Sequence, residues 1–271
     1  MHTKVSCIIP SRNEPYLNKT IQSLLDNSFL NIEVIVVLDG YWPEEVIEDK
    51  RVVYIHSSTP KGMRQSINLG VSIAKSGFIL KTDAHCMFSK GFDKALVDGN
   101  RDKSVSVLRR YPLDVLKWEI EKRTDNKYPI DYMYLDKELH GQPWFEKNND
   151  KELKTVMIDE LMSSQGSMWF MEKKYYEYLD LMDEANYGQF SNEFQEIGLK
   201  AWLSGGSVLI NKNAWYAHWH KTKGRGYSLS QLQAEKGAEY TKKWLNGKVW
   251  HKQIYDLEYL INKFKTVPTW R

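Results

Sequence analysis

The sequence predicts an α/β chain organised around a mainly parallel sheet flanked by helices, and three observations predict it. Several apolar runs have strand length but are nearly continuous instead of alternating with polar residues, as expected for strands buried on both faces. Segments with helical apolar spacing separate them, giving the order strand, helix, strand, strand, helix, strand. Polar side chains then gather where these strands end, the edge at which such sheets bind ligands. A length of 271 residues suits one large domain or two small ones and is ample for a sizeable core.

Val5 to Pro10 (VSCIIP) is a β-rich run stopped by proline, after which Leu17, Ile21, Leu24 and Leu25 recur at helical spacing. Ile32 to Gly40 (IEVIVVLDG) is a second strand closed by Asp39-Gly40, and residues 51–58 (RVVYIHSS) form a third. Gly62 to Gly77 places Ile67, Val71 and Ala74 on one helical face and leads into the strand FILKTDAHC. Residues 101–162 mix prolines, charges and aromatics without a steady period and are expected to face the acceptor or act as a lid. Residues 164–179 (SQGSMWFMEKKYYEYL) have the pattern of a strand entering a helix. Ser191 to Gly206 has helix start and stop signals: Ser191 or Asn192 as N-cap, acidic first turns, terminal glycines. Residues 207–220 (SVLINKNAWYAHWH) form a further strand, and a glycine-containing basic loop from Lys221 precedes a helical remainder stopped by Pro268.

Three strand ends carry the candidate chemistry. Ser11, Arg12, Asn13 and Glu14 close the first strand, Asp39 the second, and Asp83 and His85 the fourth. Strand alternation would point Asp83 and His85 the same way, where a carboxylate and an imidazole could share a divalent cation. Asp-Gly after a strand is also ordinary turn chemistry, and Asn13-Glu14-Pro15 could simply start a helix, so the convergence of the clusters carries the argument. No glycine-rich dinucleotide fingerprint or phosphate-binding P-loop follows the first strand, which disfavours dehydrogenases and P-loop enzymes. "SRNEP" is no triphosphate loop either, which disfavours a nucleotidyltransferase.

No apolar stretch approaches the roughly 20 residues of a membrane span, and no signal-like apolar segment opens the chain. A soluble, cytoplasmic protein (host cytoplasm if viral) without membrane or obligate protein partner is therefore expected. Cys7 and Cys86 cannot build a disulfide framework and are expected as small core residues. The net charge of +3 hides an asymmetry: residues 211–271 hold 12 Lys and Arg against 4 Asp and Glu. Aromatics interleave with this charge (Tyr227, Tyr240, Trp244, Trp250, Tyr255, Tyr259, Trp270), which suits a polyanion such as nucleic acid or a solvated basic helix face.

The segments IIPSRNE, VIVVLDG, KGMRQSINLGVSIAKSGFILKTDAHC, GSMWFMEKKYYEYL, SNEFQEIGLKAWLSGGSV and AHWHK, in this order, resemble the GT-A glycosyltransferases. Within them the chain looks closest to family 2 and the polypeptide N-acetylgalactosaminyltransferases, over roughly residues 5–99 and 163–221. The resemblance implies a GT-A (Rossmann-like) catalytic domain over residues 1–220, with a nucleotide-binding half (1–99), an acceptor-binding half (100–220), and a basic helical C-terminal extension (221–271). It implies that Asp83, His85 and His218 bind Mn²⁺ (or Mg²⁺), with His220 the rival of His218, since strand alternation puts both on one face. The donor would be a UDP-sugar carrying GalNAc, GlcNAc or glucose, lying near Pro10, Ser11, Arg12, Asn13, Glu14, Asp39, Arg64, Asp83 and Gly166. Glu193 falls where the family presents a glutamate to sugar and acceptor, as base in an inverting enzyme or sugar contact in a retaining one, and Glu196 lies one turn further along that face. Two departures stand near the sugar pocket: Phe190-Ser191-Asn192 replaces the family's Trp-Gly-Gly, and Gly166-Ser167-Met168-Trp169 its Gly-Gly-Leu-Phe.

The basic aromatic tail further resembles small bacteriophage glycosyltransferases that modify hydroxymethylated DNA bases. The acceptor so implied is a 5-hydroxymethylpyrimidine in DNA, basic charge attracting phosphates and aromatics stacking on an extruded base. The alternatives are a cytoplasmic transferase acting on polysaccharide or protein Ser/Thr, and a non-catalytic sugar-nucleotide-binding module.

Overall fold

The computed structural model describes residues 4–123, 127–221 and 231–270. Its elements in chain order are β1 (Val5–Ser11), α1 (Leu17–Asn27), β2 (Ile32–Asp39), β3 (Val52–Ser57), α2 (Met63–Ile73), β4 (Phe78–Thr82), β5 (Cys86–Phe88) and α3 (Phe92–Asp98). The long strand β6 (Ser104–Asp114) is followed by β7 (Glu119–Ile120), β8 (Met133–Leu135), β9 (Gly141–Pro143), α4 (Phe145–Asn149) and β10 (Ile158–Glu160). Then come β11 (Met168–Glu172), α5 (Lys173–Tyr178), α6 (Glu184–Tyr187), α7 (Glu193–Leu203), β12 (Ser207–His218), α8 (Gln231–Lys242) and α9 (Leu257–Phe264).

The main sheet runs β10-β12-β6-β11-β4-β1-β2-β3. Strands β4, β1, β2 and β3 are parallel, with β1 in register from Val5↔Ile32 to Ser11↔Leu38. Beyond β4 the sheet turns mixed, because β11 is antiparallel to both β4 and β6 while β12 is parallel to β6. The parallel expectation thus describes the first half of the sheet, and the second half interleaves both directions.

Strand pleating explains why the first strands lack polar alternation. In β1, Cys7 and Ile9 pack with Leu17, Ile21 and Leu24 of α1, while Ile8 on the opposite face packs with Ile67 and Val71 of α2. Both faces are covered, so both must be apolar. The cysteines are free and buried in the α1-side core, as expected of small core residues.

Three local expectations are corrected. The region 101–162 contains β6, a central strand; Arg109, Arg110 and Pro112 within it disguise the period. The chain reaches β5 by a turn at Ala84 and His85, so Asp83 and His85 are not on one strand and do not meet by strand alternation. The last α-helix ends at Phe264, before the left-handed Lys265 and Thr266, and Pro268 opens a short 3-10 turn instead of stopping a helix.

Several residues beyond 240 are packed into the main core, while Leu245, Ile254 and Tyr255 stay exposed. Trp244 is 1% exposed, Leu260 0% and Phe264 8%, all in the same apolar cluster as Ile8, Trp169 and Trp202. Among the described residues no helix is long and apolar enough to cross a membrane.

Candidate functional site

The ends of β1, β2 and β4 and the start of α7 converge on a cleft of about 600 Å³, within the range of small-ligand sites. Pro10, Ser11, Arg12, Glu14, Asp39, Asp83, His85, Gly166, Glu193 and His218 line it, so most of the sequence-derived candidates meet in one place.

Strand pairing assembles the histidines. Strand β5 runs antiparallel along the end of β12 in the register Cys86↔His218, Met87↔Ala217 and Phe88↔Tyr216. His85, one residue before β5, is thereby carried to His218, and their Nε2 atoms lie 3.1 Å apart. Asp83 Oδ2 is 3.3 Å from His218 Nε2 and 3.9 Å from His85 Nε2. One ligand atom from each of the three residues lies within 4.8 Å of the others. His220 is not in this set: its ring stands edge-on to His218 at 4.7 Å.

The donors fit a divalent cation. Two imidazole nitrogens and one carboxylate oxygen facing one another at these distances are a donor set that a divalent cation could share. His85 uses its other nitrogen, Nδ1, on Glu14 Oε2 at 3.0 Å, an outer carboxylate that fixes the ring and leaves Nε2 for a ligand. Burial pushes the His218 imidazole down to about 3, so it is neutral, as a metal ligand must be. Burial, with Arg110 adding, pushes His220 down to about 4. Burial would favour the neutral form of Asp83, but Lys81 above all, then His218, holds its carboxyl far below the ordinary range.

Glu193 opens α7 behind this cluster and is 8% exposed. Its carboxylate accepts from Trp169 Nε1 at 2.6 Å and lies 3.1 Å from Lys81 Nζ. Burial raises the Glu193 carboxyl above its ordinary 4.5; Lys81 opposes the rise without cancelling it, and Asp83 adds to it. Gly166 makes room for this arrangement, since a Cβ there would stand 2.6 Å from Glu193 Oε2. The Asn192 expected as N-cap occupies that position, but with left-handed geometry (φ 58°) and no capping hydrogen bond.

Asp39, the last residue of β2, lines the same cleft. Its carboxylate pairs with Arg12 and accepts from the backbone N–H groups of Lys61 at 2.6 Å and Gly62 at 3.0 Å. Gly62 is obligatory there: its φ is 102°, and a Cβ would meet Gln189 Cβ at 2.6 Å. Glu14 holds Lys221 Nζ at 2.5 Å as well as His85, and these contacts keep its carboxyl low although burial pushes the other way.

Three sequence-derived candidates lie outside the cleft lining. Asn13 is exposed, with φ 50° turning it away at the end of β1. Arg64 is fully buried: its guanidinium pairs with Glu196 and donates to the Ser191 carbonyl at 2.7 Å. Glu196 is 0% exposed and also holds Lys200 Nζ at 2.7 Å, so the pair ties α2 to α7 and has no access to substrate. Conversely, Lys81 and Trp169 were missed. A lysine inside an apolar strand run was the available signal, because lysine is almost never fully buried unless paired.

Residues 6–179 match the family described as Glycosyl transferase family 2. A curated relative, the glycosyltransferase GlyG of Streptococcus pneumoniae serotype 4, is 26% identical over 116 residues, which is 40% of this chain and 38% of that protein. Among solved structures, GalNAc-T7 with UDP, GalNAc and Mn²⁺ superposes with a TM-score of 0.72 at 18% identity, over 90% of this chain and 48% of that one. The S. aureus TarS fragment 1–349 in complex with UDP-GlcNAc gives 0.54 at 15% identity, over 92% of this chain and 69% of that one. The chain thus spans less than half the length of GlyG and GalNAc-T7. At these identities the superpositions show the fold, which is the GT-A fold expected from the sequence.

Proposed function

The chain belongs to glycosyl transferase family 2, and from that premise we propose that it transfers a sugar from a UDP-sugar to an acceptor hydroxyl with a divalent cation bound. The single observation that carries this reading is the convergence of Asp83, His85 and His218 beside the buried carboxylate of Glu193 in one cleft. In this reading Asp83, His85 and His218 would hold Mn²⁺ or Mg²⁺, which would supply Lewis-acid stabilisation to the departing diphosphate. UDP and Mn²⁺ in the GalNAc-T7 structure, and UDP-GlcNAc in the TarS structure, support this donor and metal class.

The bond between the anomeric carbon and the diphosphate oxygen breaks, the acceptor oxygen bonds to that carbon, and UDP leaves. Glu193 takes the acceptor proton if configuration inverts; its raised pKa and the hydrogen bond it accepts from Trp169 suit a positioned base. Ser11, Arg12 and Asp39 serve the nucleotide end of the cleft, within a nucleotide half (residues 1–99) and an acceptor half (100–220).

For the acceptor, the basic charge of residues 211–271 supports a 5-hydroxymethylpyrimidine in DNA. The aromatic part of that argument is weakened, since Trp244 and Trp250 are buried in the core and Tyr227 lies outside the described residues. A carbohydrate or protein hydroxyl is the alternative. UDP release with Mn²⁺ across UDP-GalNAc, UDP-GlcNAc and UDP-glucose, with and without DNA containing 5-hydroxymethylcytosine, tests both levels. Release with one sugar supports the transferase, and stimulation by DNA its acceptor. Release indifferent to DNA discards that acceptor, and no release with any sugar favours a sugar-nucleotide-binding module.

A further inference from the structure

Lys81 is a charged side chain that the fold places where sheet interiors are otherwise apolar. It lies in β4 between its neighbours β1 and β11, in register with Ile8 and Trp169. Its side chain is 0% exposed. The ammonium has three N–H donors, and three acceptors surround it: Asp83 Oδ1 at 2.7 Å, the Gly166 carbonyl at 2.7 Å, and the Glu193 carboxylate at 3.1 Å. All three partners line the cleft while Lys81 itself does not, so Lys81 reaches the site only through them.

The division of the Asp83 carboxylate is informative. Oδ2 faces His85 and His218, while Oδ1 is taken by Lys81. The same ammonium holds Glu193, whose carboxylate is fixed from the other side by Trp169 Nε1. Asp83 and Glu193 are both negative and both mostly buried, so without a cation between them they would repel. Gly166 completes the clamp with its carbonyl and, by lacking a Cβ, with the space Glu193 occupies.

We propose that Lys81 is a positioning residue that couples the metal-ligating Asp83 to the acceptor-facing Glu193, setting the spacing of the two carboxylates that the transfer requires. This rests on the transferase reading above. Lys81 touches no reacting atom. It acts by directing one Asp83 oxygen toward the histidines and by holding Glu193 in the rotamer that Trp169 also selects. Truncation of the ammonium should therefore disturb metal affinity and turnover together, while leaving the nucleotide end of the cleft alone.

The test compares the unmodified chain with Lys81→Met, Glu193→Gln and the double variant. Mn²⁺ binding is measured directly from the free-ion electron paramagnetic resonance signal, and kcat and KM from UDP release with whichever of UDP-GalNAc and UDP-GlcNAc the unmodified chain consumes. Lys81→Met should weaken Mn²⁺ binding at least fivefold and lower kcat on the order of 100-fold, with KM for the donor within threefold. With Mn²⁺ kept saturating, so that the loss of metal affinity through Asp83 is not read, adding Lys81→Met to Glu193→Gln should cost kcat less than threefold, because both substitutions then disable one unit. Should Lys81→Met fail to fold, Lys81→Gln, which keeps N–H donors without the charge, takes its place. Unchanged Mn²⁺ affinity and kcat, or fully multiplicative losses in the double variant, would overturn the inference. If the unmodified chain releases no UDP, the transferase reading fails, while the Mn²⁺ titration still decides whether Lys81 orders Asp83.

Discussion

Glu193 concentrates the residue-scale argument. It is a buried carboxylate with a raised pKa, held by Trp169 and Lys81 at the edge of the cleft. Replacing it by glutamine keeps both contacts possible but removes the base. We therefore expect kcat to fall about 10²–10⁴-fold with KM for the donor nearly unchanged, measured by steady-state UDP release. An unaltered kcat would take Glu193 out of the mechanism. The sign of the pH effect follows from the same shift. A carboxyl raised above its ordinary 4.5 protonates at higher pH than a free glutamate, so the base is lost as pH falls. The acid limb of the kcat profile should lie above pH 4.5 and be absent in Glu193→Gln. At this scale strand-end position marked Asp83 and His85, while His218 and Glu193, the latter at the start of a helix, entered through the resemblance to the GT-A glycosyltransferases. It misplaced Arg64 and Glu196, since nothing in a linear pattern distinguishes a charge facing a cleft from a charge paired inside the core.

Arg64 and Glu196 belong instead to the element scale, where they join α2 to α7. The Arg64 guanidinium also lies 4.7 Å from the Tyr187 ring centroid, and Lys200 completes the buried charge set. Removing Arg64 leaves Glu196 with Lys200 as its remaining cation, so the cost lies at the lower end for a broken buried pair, about 3 kcal/mol. Arg64→Met should lower the urea midpoint by a corresponding amount; a variant of native stability that only weakened donor binding would return Arg64 to the cleft. Elements were readable from sequence where burial on both faces made strands continuously apolar, as in β1 and β2. They were unreadable where long-range pairing decided them. Strand β6 contains Arg109, Arg110 and Pro112, yet it pairs with β11 and β12. The turn that brings His85 to His218 depends on β5 docking against β12, a contact between residues far apart in the chain.

For the whole molecule, charge asymmetry was visible in the sequence and the fate of the aromatics was not. Spacing alone does not tell whether a tryptophan near lysines stacks on a ligand or fills a core. Trp244 fills the core, its Nε1 donating to the Tyr187 hydroxyl at 3.0 Å. Trp244→Ala should destabilise the protein by about 3–5 kcal/mol in urea unfolding. A primary role on a polyanion would instead leave stability intact and reduce salt-sensitive DNA retention. In the proposed function Asp83, His85 and His218 would hold a divalent cation that would supply Lewis-acid stabilisation to the departing diphosphate, with Glu193 as the neighbouring carboxylate. The most direct test of this central claim is UDP release from UDP-GalNAc and UDP-GlcNAc by the metal-stripped chain, before and after Mn²⁺ is restored, alongside His218→Ala. The account predicts release that is lost on chelation, recovered with Mn²⁺ and reduced at least tenfold in His218→Ala. Release that survives chelation, or is unchanged in His218→Ala, would contradict it.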